Sequence, residues 1–240
     1  MAGKPNERQE KAFCSAISKL CGEHGPIRLS AGMHSIEQVI GARKVQERTT
    51  FGHENYADVI VEQEGGKELR MQLKNVRSPS YGGGGSAGVE TSLPGLGDLF
   101  LKKAHAYLVK QIKAQPGDNI PRLYMPLSPA QQLVLLRGTP QIGGPIDYIL
   151  SGPMDLSHKA YKNHLVFYNS ALMTIEEYSS LVQLFLVYRR YSSDQMFDPK
   201  LYGNRMVPKI YGEGKVGVKI LTGGRLILEQ EIPKEGYIIR

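Results

Sequence analysis

The sequence predicts an α/β (α+β) chain: a central mixed β-sheet flanked by helices, with a β-hairpin near the C-terminus. Three observations carry this. Residues 56 to 76, YADVIVEQEGGKELRMQLKNV, read as two strands around a tight turn. Asp-Val-Ile-Val is β-branched and apolar, and Leu69, Met71 and Leu73 then alternate with Glu68, Arg70, Gln72 and Lys74. Apolar stripes at helical spacing lie on both sides of this hairpin. Residues 215 to 232 repeat the hairpin pattern, with VGVKIL, Thr-Gly-Gly and then RLILEQEI.

The register of the first hairpin follows from its loop. If Gly65-Gly66 alone formed the turn, Asp58 would oppose Leu73. A three-residue loop, Glu64-Gly65-Gly66, sets Asp58 opposite Gln72, with Gly66 taking the left-handed conformation such loops need. Bringing Asp58 and Gln72 together therefore calls for an odd loop or a bulge. Lys74 shares the polar face of its strand with Gln72.

Residues 5 to 23 read as a helix with Pro5 in its first turn and Phe13, Ile17, Leu20 and Cys21 as its stripe. Glu10 lies three residues before Phe13, either as an exposed acid helped by the helix dipole or as part of a site. Residues 34 to 50 are ambiguous: HSIEQVIG could be a short helix with Ser35 as cap, followed by a strand at 43 to 49. His53 and Glu54 lie just before Asp58, and His53 reads as a solvated loop residue or as a contact to phosphate or water. The glycine-rich run predicts a mobile loop over 78 to 97. It lacks the Gly-Lys-Ser/Thr of a phosphate-binding P-loop. Asp98 is expected to cap a helix over 99 to 114, with Leu101, Ala104, Leu108 and Ile112 buried. Residues 121 to 127 read as a strand continuing the sheet, and 129 to 137 as a helix capped by Ser128. Ile146 to Leu150 and Leu165 to Tyr168 read as strands. Thr174 to Tyr188 reads as a helix with a Thr174/Glu177 capping box.

Composition narrows the function. The chain has 240 residues, 41% of them apolar, enough for a real core. It reads as one domain, with any appendage starting near residue 190. No apolar run reaches 18 residues and the N-terminus has no signal-peptide core, which predicts a cytoplasmic protein without a membrane span. Cys14 and Cys21, two turns apart on one helix, are too distant for a disulfide and read as reduced. No Cys/His cluster has zinc-ligand spacing. The net charge of +7 favours a polyanion, most commonly nucleic acid. Arg189 to Tyr211 interleaves Arg189, Arg190, Arg205 and Lys209 with tyrosines, a pattern suited to phosphates and stacked bases. Arg77, Ser80 and Tyr81 are placed to meet phosphates from the loop after Lys74.

An acidic residue, a short hairpin and a lysine two residues past a polar side chain resemble the PD-(D/E)XK nuclease superfamily. Asp58 matches its first carboxylate and Lys74 its lysine. Ala57 stands where the family has proline, and Gln72 where it has the second acid, as in some restriction-type members. The likeness spans roughly Glu10 to Lys113 and is sharpest from Asp58 to Lys74. It implies a restriction-endonuclease-like core and a metal, Mg²⁺ or Mn²⁺, held by Asp58, the Leu73 carbonyl and the Gln72 amide oxygen. It also implies an upstream glutamate, with Glu10, Glu37 and Glu47 as alternatives, and Lys74 acting on the attacking water. Mg²⁺ prefers oxygen ligands and keeps several waters, so two or three protein oxygens suffice. The activity implied is hydrolysis of double-stranded DNA by a type II restriction-type enzyme, acting as a homodimer. The alternatives are a structure-specific or homing nuclease, a non-catalytic nucleic-acid-binding protein that has lost the second carboxylate, and an ordinary surface hairpin.

Overall fold

The computed structural model describes residues 5–48, 55–75, 85–115, 121–188, 227–228 and 237–240. The chain divides into two compact units, residues 1–80 with 136–181, and residues 81–135 with 182–240.

The first unit is built on an eight-stranded mixed sheet. Its strands are β1 (Ile27–Ala31), β2 (His34–Lys44), β3 (Val59–Gln63), β4 (Glu68–Asn75), β6 (Tyr148–Gly152), β7 (His158–Tyr161), β8 (His164–Phe167) and β9 (Ala171–Thr174). Their order across the sheet is β7-β8-β1-β2-β3-β4-β6-β9. β1 with β8 and β4 with β6 pair in parallel, and the other neighbours are antiparallel.

One helix, α1 (Pro5–His24), packs chiefly on β2. Its stripe of Phe13, Ala16, Ile17 and Leu20 joins Val39 of β2, Val59 and Val61 of β3, and Leu69, Met71 and Leu73 of β4 in one core. Burying the larger of these side chains contributes roughly 1.5–3 kcal/mol each. Cys14 and Cys21, both half-buried on this helix, are free thiols.

The β3–β4 hairpin has the expected loop. Gln63 N–H donates to Lys67 O at 2.8 Å around Glu64-Gly65-Gly66, and Gly65 and Gly66 both sit at φ +79°. The pairs Val59↔Met71, Ile60↔Arg70, Val61↔Leu69 and Glu62↔Glu68 follow from that loop. Alternation then sends Leu69, Met71 and Leu73 to the α1 side, and Arg70, Gln72 and Lys74 to the other.

The second unit holds a four-stranded sheet in the order β11-β10-β5-β12, made of β5 (Leu123–Pro126), β10 (Leu184–Tyr188), β11 (Ile227–Leu228) and β12 (Tyr237–Ile238). It also holds α2 (Gly85–Ser92) and α3 (Leu96–Tyr107), the latter running on as a wider π-type turn, Leu108–Ile112. α4 (Pro129–Arg137) crosses the boundary between the units after Leu135, and α5 (Ile175–Leu181) closes the first.

Several expectations are corrected. His34 to Lys44 is one strand, because Ile36 and Val39 are buried and β1 and β3 supply hydrogen bonds on both edges. The strand at β5 belongs to the smaller sheet and does not continue the large one. Part of the glycine-rich segment is α2, anchored by fully buried Val89. α3 begins before Asp98, which lies in its first turn, and Gly95 holds the cap position.

The helix begun by the Thr174/Glu177 capping box, with both bonds formed at 2.9 and 3.2 Å, ends at Leu181. Leu184 to Tyr188 is instead β10, whose Leu184, Phe185 and Leu186 are buried. A run apolar on every side suits a strand covered on both faces, whereas a surface helix needs a polar flank. The capping box at Ser128 is formed, with Gln131 N–H donating to Ser128 Oγ at 3.3 Å and Ser128 N–H to Gln131 Oε1 at 2.9 Å. Of the C-terminal hairpin only Ile227–Leu228 lies among the described residues.

Candidate active site

The candidate residues gather where β3 begins and β4 ends. The chain entering β3 is tied down by one long-range and one local bond. Tyr56 N–H donates to Ile142 O at 2.8 Å, and Ala57 N–H to Asn55 Oδ1 at 3.1 Å. Gly143, at φ +92°, packs so closely on Asn55 that any Cβ there would run into the Asn55 amide.

Asp58 sits where the ladder ends. Its N–H donates to Met71 O at 2.9 Å, and the register assigns Met71 also to Val59, so two residues meet one as in a β-bulge. Its carboxylate Oδ2 accepts the Leu73 N–H at 2.7 Å, a donor that a continued strand would have taken. An acceptor that close to a strand N–H lies near the plane of the sheet, so the carboxylate projects from the sheet's edge between its two faces. The N–H and C=O of a strand residue leave on the same edge, so the Leu73 carbonyl faces the gap beside Asp58. The Ala57 N–H, committed to Asn55, does not fill that gap.

Gln72 is 1% exposed. Its Nε2 donates to the Tyr56 carbonyl at 3.0 Å, two residues before Asp58. Its Oε1 is buried and has no hydrogen-bond partner among the described residues. The bulge at Asp58 thus replaces the direct Asp58–Gln72 pairing expected from the loop with a link through the Tyr56 backbone.

Lys74 is 8% exposed. Burial pushes its ammonium below the ordinary lysine value, and the Asp58 charge pulls it partly back. Buried Tyr56 is pushed well up by desolvation, an effect reinforced by Asp58 and opposed by the Gln72 amide.

Among the three upstream glutamates, the structure brings Glu10 to this site. It lies on the buried stripe of α1, 8% exposed, and so is not the solvated first-turn acid of the alternative reading. Burial raises its carboxyl above the usual range, Lys44 opposes this, and the like charge of Asp58 adds to it. Glu37 is exposed and pairs with Arg28 at 3.0 Å. Glu47 is exposed and pairs with Arg43 at 3.7 Å.

Sequence reasoning missed Lys44. Its Nζ lies 2.7 Å from Glu10 Oε2, and this contact holds the ammonium up. The signal was available, since Lys44 ends β2 directly across from Val59, the neighbour of Asp58. Cys14, one turn after Glu10 on α1, has its thiol pushed up to about 11 by burial and by the Glu10 charge.

Among the described residues, no group of three or more His, Cys, Asp or Glu is arranged to hold a metal ion. The oxygens present are two carboxylates, Asp58 and Glu10, with the Leu73 carbonyl and the Gln72 amide oxygen as neutral donors. The partnerless buried Oε1 of Gln72 and the like-charged pair Glu10/Asp58 both fit a hard divalent cation.

The proposed nucleic-acid contacts Arg77, Ser80, Tyr81, Arg189, Arg190, Arg205 and Lys209, and also His53 and Glu54, lie outside the described residues. No described helix is long and apolar enough to cross a membrane. Compared with known proteins, the chain matches no family model, no curated protein and no solved structure.

Proposed function

We propose that this chain is a metal-dependent nuclease acting on double-stranded DNA, with Asp58, Glu10, Gln72 and Lys74 as its working residues. The observation that carries the reading is Lys74. A buried lysine with a lowered proton affinity, acted on by the charge of an aspartate anchored at a strand end, is the kind of perturbed group that functional sites hold.

A Mg²⁺ or Mn²⁺ held by Asp58, whose carboxylate lies between the two faces of the sheet, and by the Leu73 carbonyl, with Glu10 approaching from the α1 side or Gln72 Oε1 from the other, would neutralise phosphate charge and polarise the phosphodiester. Asp58 is held for this by the Leu73 N–H, which fixes the carboxylate without a flexible stem. Lys74, with its depressed affinity, takes the proton of an attacking water whose oxygen bonds to phosphorus as the ester P–O bond breaks. Lys44 opposes the upward push of burial on the Glu10 carboxyl and so favours its ionised form. The net charge of +7 favours the polyanion. Cutting both strands of a specific duplex in the manner of a type II restriction enzyme calls for two such sites, hence a homodimer.

A second reading is favoured by one observation. Gln72 spends its amide N–H on the Tyr56 carbonyl, as a purely structural glutamine would. On that reading the chain binds nucleic acid and does not cut it.

Incubating supercoiled plasmid with the protein and Mg²⁺, followed by gel analysis, decides between them. Discrete linear fragments, lost with EDTA, are expected. Intact plasmid in Mg²⁺ and in Mn²⁺ overturns the nuclease reading.

A further inference from the structure

Beside the candidate site, still within the first unit, lies a cavity of about 340 Å³ whose walls carry three arginines, Arg43, Arg48 and Arg70. Arg43 pairs across the sheet with Ile60, and Ile60 with Arg70, so these three residues form one rung. Residues in such a rung share a face, and two-residue alternation puts that face on the same side of β4 as Gln72 and Lys74. Asn55, Gln141 and Gly143 also line it.

Two of the arginines are held in place. Arg70 Nη1 donates to the Gly143 carbonyl at 3.3 Å, which uses one of its five N–H donors. Arg43 is gripped by Glu62 and Glu68, both at 3.2 Å, and by Glu47 at 3.7 Å. Glu47 is the single acid in the lining, but Glu62 and Glu68 also pair with Arg43 and the Asp147 carboxylate accepts the Arg70 backbone N–H, so Arg70 and Arg48 are the guanidinium groups that argue for an anion here. Planar guanidinium forks match the oxygens of phosphate, as they match those of a carboxylate, and the net charge of +7 favours the polyanion. The volume is in the range of pockets that hold a ligand-sized group rather than one small ion.

We infer that this cavity is a phosphate-binding subsite, which seats a backbone phosphate of the nucleic acid a few nucleotides from the scissile bond. The inference deepens the nuclease reading and rests on it for the source of the phosphate. Arg70 precedes Lys74 by four residues, about 13 Å along a strand at ~3.3 Å per residue. That separation lets one strand of DNA engage both.

The test is fluorescence anisotropy of a labelled duplex in EDTA, where no cleavage occurs, as a function of salt. Arg70→Gln removes a guanidinium, and Gln141→Glu adds an anion from an exposed wall position with little risk to the fold. Each should weaken binding about tenfold. Arg70→Gln should also lower the slope of log affinity against log salt by about 0.9. Arg28→Gln, which lies outside the cavity and pairs with Glu37, should change neither. Titration of inorganic phosphate separates the two sources. If both variants lose phosphate binding but keep duplex affinity, the cavity takes a free phosphate and the DNA subsite is overturned. If neither ligand responds to either variant, the cavity is not a phosphate site. If the duplex responds while wild-type protein leaves plasmid intact in Mg²⁺ and in Mn²⁺, the subsite stands and the nuclease reading falls.

Discussion

Lys44 Nζ lies 2.7 Å from Glu10 Oε2, joining the end of β2 to the buried stripe of α1 beside Asp58. The pair works asymmetrically, since Glu10 is nearly buried while the Lys44 side chain is 42% exposed. The lysine therefore pays little desolvation, and its main effect is on the carboxylate.

This asymmetry predicts a pH-dependent phenotype. Burial and Asp58 hold the Glu10 carboxyl above its ordinary 4.5, so the cost of its buried charge is absent at low pH and complete above its folded value. Lys44→Met should therefore destabilise the fold at neutral pH and hardly at all near pH ~4. In urea titrations the double variant Glu10→Gln/Lys44→Met should recover part of the loss, with a coupling of about 1 kcal/mol. Additive losses at neutral pH would mean that the contact carries no energy.

Lys74 gives the opposite sign. Its folded value is below the ordinary 10.5, so in the window between the two the unfolded chain binds more protons and stability rises with pH. Lys74→Met removes this dependence, and the stability gap between the two proteins should move in favour of wild type as the pH climbs towards that value. The same variant, and Asp58→Ala, should abolish plasmid cleavage. Near-normal cutting by either moves the chemistry elsewhere.

Gln72→Glu places a carboxylate against the Tyr56 carbonyl where an amide N–H now donates. Without metal this should cost about 1–3 kcal/mol. With Mn²⁺ the added charge should be compensated, so thermal denaturation should show a larger metal-induced rise in Tm for the variant than for wild type. Gln72→Leu should bind metal more weakly and lose most activity. Equal metal shifts in all three proteins would remove Gln72 from the metal site.

The turn offers a control away from the chemistry. Gly65 and Gly66 both sit at φ +79° with open space around them, so an added methyl meets no neighbour and only the backbone objects. Gly66→Ala should cost about 1–2 kcal/mol in chemical denaturation without changing metal binding.

The hairpin was legible because its signals are local: β-branched residues, alternation and a glycine pair that sets the loop length. The register down to Val59↔Met71 follows from these alone. What lay beyond them was hidden. The bulge at Asp58 depends on Asn55 and Gly143, far apart in sequence. Lys44 became visible only once the residues from His34 were one strand, and the helix-like spacing of Ile36, Val39 and Ile40 concealed that. β10 was hidden behind a valid capping box, since a start signal says nothing about where a helix ends.

The bond from Leu73 to Asp58 has a consequence for observing this protein. A side chain stands in for a strand at that rung, so the Leu73 amide reports directly on the carboxylate. Protonating Asp58, or drawing its electrons towards a bound cation, weakens the acceptor without moving the backbone. Deuterium uptake and the nitrogen chemical shift of this one amide would then follow occupancy of the site in solution, before any substrate is present.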